Sequence, residues 1–194
     1  MAKEIQKQTN SGSLTLQQHY AQQFKQASEF TSIMKATEHA LSGTDVRIAE
    51  ILRTGNSNIV KVHIAEAIAS YVELVHPNRG ITPEQIMNMS DAFLSHPDLR
   101  HLSVSELKTF FAMAFKTQRL GSGKLYAGFG YDVLLEWFAD YYRQRMDAVI
   151  TFRERQHSEY KVRERTRDDS AFKDFNHNYN LNKYRNETED KRGD

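Results

Sequence analysis

The chain has no cysteine. That excludes disulfides, thiolate zinc sites, iron–sulfur clusters and a cysteine nucleophile, and it is compatible with a reducing cytoplasm. Only three prolines and nine glycines occur in 194 residues, so few positions oppose long helices. No run of 18 apolar residues is present, and no membrane span is expected. The opening MAKEIQKQTNSGS lacks the apolar stretch of a secretory signal, so none is expected there. Strong net charge is missing as well: 26 Lys and Arg face 25 Asp and Glu, a formal +1. What the chain does hold is 39% hydrophobic residues, including 11 Phe, 9 Tyr and one Trp. At this length that suffices for one packed domain and argues against full disorder.

Apolar spacing predicts an all-α fold: a compact bundle of about five to six helices over residues 14–152, after a flexible start at 1–13. Residues 153–194 read as a basic helical extension passing into a disordered tail. From Leu14 to Leu41, Leu16, Tyr20, Phe24, Ala27, Phe30 and Met34 recur every three or four residues, one stripe on one helix. A shorter helix is expected from Asp45 to Arg53 and another from Ser57 or Asn58 to Val75, burying Ile64, Ile68, Tyr71 and Val72. Thr82-Pro83-Glu84-Gln85 and Ser103-Val104-Ser105-Glu106 are capping boxes. In each a hydroxyl and a side-chain carbonyl or carboxylate satisfy amides at a helix start. The first opens a helix to about Leu94 and the second a helix to about Gln118. After a glycine-bearing loop from Arg119 to Tyr131, Asp132 is the expected N-cap of a last helix. Its inward residues are Leu134, Phe138, Tyr141, Tyr142, Met146, Val149 and Phe152, with Trp137 expected in the core.

No catalytic, cofactor-binding or metal-ligating residue is assigned. Gly121-Ser122-Gly123-Lys124 resembles the end of a phosphate-binding loop. The earlier glycine of that motif is replaced by Gln118 and the hydroxyl after the lysine by Leu125. A turn carrying a lysine is the better reading, with a DNA phosphate as its one functional use. The eight histidines form no pair at zinc spacing. No serine sits in a nucleophile elbow. An enzyme is therefore not expected.

Charge is uneven along the chain. From Arg143 to Arg167 eight bases stand against four acids, a local +4, and residues 168–194 return −2. Such a helix neutralises phosphates; the plain alternative is a solvated helix laced with i,i+4 ion pairs. Tyr160, Phe172, Phe175, Tyr179 and Tyr184 suit base stacking or anchoring on a protein partner. The candidate contacts to phosphates or to an acidic partner are Lys116, Arg119, Lys124, Arg143, Arg145, Arg153 and Arg155.

From Ile59 to about Arg145 the chain resembles a group of largely uncharacterised proteins encoded by phages and mobile elements of Bacteroidetes bacteria. The parts that carry the resemblance read ITPEQI, SVSELKTFFAMAFK, GSGKLYAGF and DVLLEWFADYYRQR. The densest is Gly123-Lys124-Leu125-Tyr126 with Trp137 eleven residues further on. Where that group carries Asp-Gly after the loop aromatic, this chain has Gly130-Tyr131. The resemblance implies a phage or mobile-element origin and supplies no catalytic residues. With the basic extension it gives the expected function: a non-enzymatic, cytoplasmic adaptor in nucleic-acid metabolism. Such an adaptor is a replication accessory or helicase-loader-like protein that binds DNA or a replication protein, without cofactor or membrane. The alternatives are a virion structural or assembly protein, which would form homo-oligomers, and a small enzyme whose site the sequence does not display.

Overall fold

The computed structural model describes residues 16–75, 81–116, 120–121 and 129–190. Among them there are seven helices and no sheet, so the fold is all-α. The helices are α1 (residues 16–26), α2 (Ile33–Leu41), α3 (Ile48–Arg53), α4 (Ser57–Val75), α5 (Pro83–Leu94), α6 (Val104–Phe111) and α7 (Tyr131–Asp190). A 3-10 turn, Pro97–His101, follows α5, and a π-turn, Ala112–Lys116, extends α6. The chain divides into two units, Met1–Val149 and Ile150–Asp194. In the first, α6 is the central helix: seven of its eight residues are buried. A helix enclosed on every side is what a run apolar or self-satisfied all round produces. Around it Phe93, Phe110 and Phe138 pack with ring centroids 5.0–5.7 Å apart. A second aromatic group joins Tyr71, Phe115, Phe129 and Trp137. Trp137 is buried there, the core position expected of it.

Both capping boxes form as the sequence predicts. Thr82 Oγ1 accepts from the Gln85 amide while Gln85 Oε1 accepts from the Thr82 amide. Ser103 and Glu106 repeat the exchange. Asp45 does not start α3. It lies at a bend two residues before Arg47, which makes a single antiparallel bridge with Ser103. The Asp45 carboxylate accepts from the Ser105 amide and so helps start α6 instead.

Four further expectations are corrected. The helix expected from Leu14 to Leu41 is broken at residues 27–32. The backbone groups released there are taken by α6: Lys108 Nζ donates to the Ala27 carbonyl at 3.0 Å, and the Phe30 amide donates to Thr109 Oγ1 at 3.1 Å. Next, α6 does not run on to Gln118 as an α-helix but widens at Ala112. In α7 the helix starts at Tyr131, with Leu134 N donating to Gly130 O. Asp132 therefore sits in the first turn, where a carboxylate meets the positive end of the helix, rather than at the cap. The buried stripe passes through Leu134, Phe138, Tyr141, Arg145, Ala148 and Val149, while Met146 is 40% exposed. The C-terminal helix of the extension continues through Asp190. No glycine or proline occurs from Tyr131 to Asp190, so nothing in the covalent structure stops the helix.

Candidate functional site

Of the seven predicted cations, the structure describes the side chains of Arg143, Arg145, Arg153 and Arg155. Arg119 and Lys124 lie outside the described residues, as does the side chain of Lys116, whose backbone ends the π-turn. The side chains of Phe172, Phe175, Tyr179 and Tyr184 lie outside them too. Arg143 and Arg145 belong to the first unit, Arg153 and Arg155 to the second.

Arg145 is a correction. Its side chain is 9% exposed and that of Glu106 is fully buried. The guanidinium donates from Nε to Glu106 Oε1 at 2.7 Å and from a terminal nitrogen to the His101 carbonyl at 2.9 Å. The other oxygen of Glu106 accepts from the Ser103 amide at 2.9 Å. The capping carboxylate of α6 is thus also the counter-ion of α7. Tyr141 completes the cluster by donating to the backbone carbonyl of Glu106. Burial, reinforced by the Glu106 charge, pushes the Tyr141 hydroxyl well above its ordinary range. A cation so enclosed fixes two helices to each other and meets no outside phosphate.

Arg143 is exposed and paired with Asp140. Asp140 also accepts from the Gly121 amide at 3.0 Å. Burial raises the carboxyl of Asp140, but the Gly121 amide, Gln144 and Arg143 outweigh it and hold the group below the usual carboxylate range. Gly121 has φ +70°, and a Cβ there would stand 2.5 Å from Trp137 Cδ1. The glycine is therefore required both by its backbone and by the ring against it.

In the second unit every residue from Arg153 to Glu164 is exposed. The stretch holds Arg153, Arg155, Lys161 and Arg163 against Glu154, Glu159 and Glu164. Tyr160 and Val162 are 64% and 63% exposed.

A cleft of about 340 Å³ lies in the first unit between the end of α1, α4, and α6 with its π-turn. Phe24, Tyr71, Phe111 and Phe115 are among its walls, with His63 and Lys108. His63 stacks on Phe24 at 4.2 Å between centroids and its Nδ1 lies 3.2 Å from Glu66 Oε2. Burial lowers the His63 imidazole against the pull of Glu66, and Lys108 lowers it further. The Tyr71 hydroxyl is buried without a hydrogen-bond partner among the described residues, and burial raises it. None of these residues was singled out from the sequence, where Tyr71 reads only as part of a buried stripe. Three helices distant in the chain make the cleft, so no local spacing announces it.

The histidines flanking the α5–α6 turn act structurally: His96 Nδ1 accepts from the Asp98 amide, and His101 offers its carbonyl to Arg145. Among the described residues no group of three or more His, Asp or Glu is placed to hold a metal ion. No helix among them is long and apolar enough to cross a membrane. No family model matches the chain, and neither curated proteins nor solved structures yield a match.

Proposed function

We propose that the chain is a non-enzymatic adaptor in phage or mobile-element nucleic-acid metabolism, a replication accessory that engages DNA phosphates through α7. The observation that carries this reading is the complete exposure of residues 153–164, which leaves Arg153, Arg155, Lys161 and Arg163 on the surface of a continuous helix. At about 100° per residue, Arg153, Lys161 and Arg163 fall on one half of the helix circumference. Glu164 shares that half, so the contact is one of moderate charge. The phage or mobile-element setting rests on the sequence resemblance alone. Arg145 is no part of this surface, and Arg143 contributes only if it exchanges Asp140 for a phosphate.

Three phosphate contacts give a salt dependence of roughly −2.7 in log–log terms, a loss of about 40-fold between about 50 and 200 mM salt. Anisotropy of labelled single- and double-stranded oligonucleotides measures it. The variant R153E/K161E/R163E should lose binding while its melting temperature is unchanged. Absence of binding at about 50 mM salt, or an unaffected triple variant, overturns the reading. Oligomers of defined size in a chain that ignores DNA would support the assembly alternative.

A further inference from the structure

We infer that the cleft between α1, α4 and α6 is a binding site for an uncharged aromatic small molecule of two to three rings. The inference is independent of the DNA reading, because every residue of the cleft belongs to the first unit.

Size comes first. The cleft measures about 340 Å³. An apolar cavity of about 150 Å³ holds benzene, so this one takes a body a little over twice as large. It lies at the lower end of the range of small-molecule sites, about 300–1,000 Å³. The walls supply the shape preference: Phe24, Tyr71, Phe111 and Phe115 line the cleft, and aromatic walls favour a flat aromatic partner.

Polarity comes second. Tyr71 lines the cleft with its ring; the residue is 2% exposed and its hydroxyl is buried away from the open space, so the cleft offers a ligand little polar surface there. The charges around the cleft decide against an anion. Glu29 and Glu66 face one ammonium, Lys108, whose Nζ is already bonded to the Ala27 carbonyl. Burial disfavours the charged form of His63.

Backbone comes third. The π-turn begins at Ala112 and includes Phe115, and both line the cleft. A helix that widens by one residue gives up regular hydrogen bonding, and such turns recur at binding and catalytic sites. Here the widening carries Phe115 to its stack on Tyr71, 4.4 Å between centroids.

The full chain is titrated with N-phenyl-1-naphthylamine, a neutral two-body aromatic with one N–H, and fluorescence is read. Saturable uptake of one probe per chain is expected. Ala67→Phe, which fills the cleft, should weaken it by at least about tenfold. The sulfonated analogue 1-anilinonaphthalene-8-sulfonate should bind at least about tenfold more weakly than the neutral probe. Ser70→Phe, at an exposed position on the cleft edge, is the second filling variant and decides the matter where A67F lowers the melting temperature. Uptake that does not saturate, uptake that survives filling, or equal affinity for the sulfonate overturns the inference.

Discussion

Arginine and glutamate are the two residue types whose meaning changes most between sequence and structure. Arg145 sits in a basic run and reads as a surface cation, yet its guanidinium is enclosed with Glu106. Removing one partner of a buried pair leaves the other charge stranded. Arg145→Met should therefore cost about 3–5 kcal/mol in urea denaturation, and E106Q/R145M should recover most of that loss. Glutamine retains an oxygen for the Ser103 amide. A loss below about 1 kcal/mol in the single variant would mean the pair is not enclosed. Asp140 gives a pH dependence. Its folded pKa is lowered, so its contribution is present above the unfolded value of about 3.9 and is lost as pH falls through the folded value. Denaturation midpoints of the native chain and Asp140→Asn should differ at neutral pH and converge as acid protonates the folded carboxyl. At Gly121 the left-handed backbone and the Trp137 ring act together. Gly121→Ala should cost about 2–4 kcal/mol by thermal melting, the sum of backbone strain and forced repacking.

At the scale of elements, legibility follows the distance over which the deciding contact acts. The starts of α5 and α6 are readable because a capping box closes over three residues. The break between α1 and α2 is settled by Lys108 and Thr109, 81 and 79 positions away. Ser28, Thr31 and Ser32 mark a turn weakly, and the apolar stripe through Ala27 and Phe30 overrides that mark. The register of α7 is misread for a similar reason. A stripe through Met146 looks apolar, but the position facing α6 is Arg145, and its acceptability depends on Glu106, 39 residues back. The helical tail, by contrast, is announced by sixty residues without glycine or proline. The break is testable: Thr109→Val should cost about 1–2 kcal/mol and speed hydrogen exchange at the Phe30 amide, leaving amides within α4 protected.

At the scale of the molecule, all-α architecture is readable from composition and period, and the candidate site is only partly so. The exposed cations of residues 153–164 follow from their run of charge. The cleft depends on tertiary assembly and has no signature in any one segment. Every buried side chain among the described residues lies at or before Val149. Deleting Ile150–Asp194 should therefore leave the melting temperature within about 2 °C of the full chain and remove binding to DNA. Loss of cooperative melting in the shortened chain would show that the second unit supports the first.

The side-chain clasp that holds the segment after α1 also sets an order of events during synthesis. On the ribosome, Ala27 and Phe30 emerge long before Lys108 and Thr109 exist, so the opening helix has no seat for much of translation. Its apolar face, with Tyr20 and Phe24, then stays open to solvent until α6 arrives. The nascent chain closes from its middle outward rather than from its first residue.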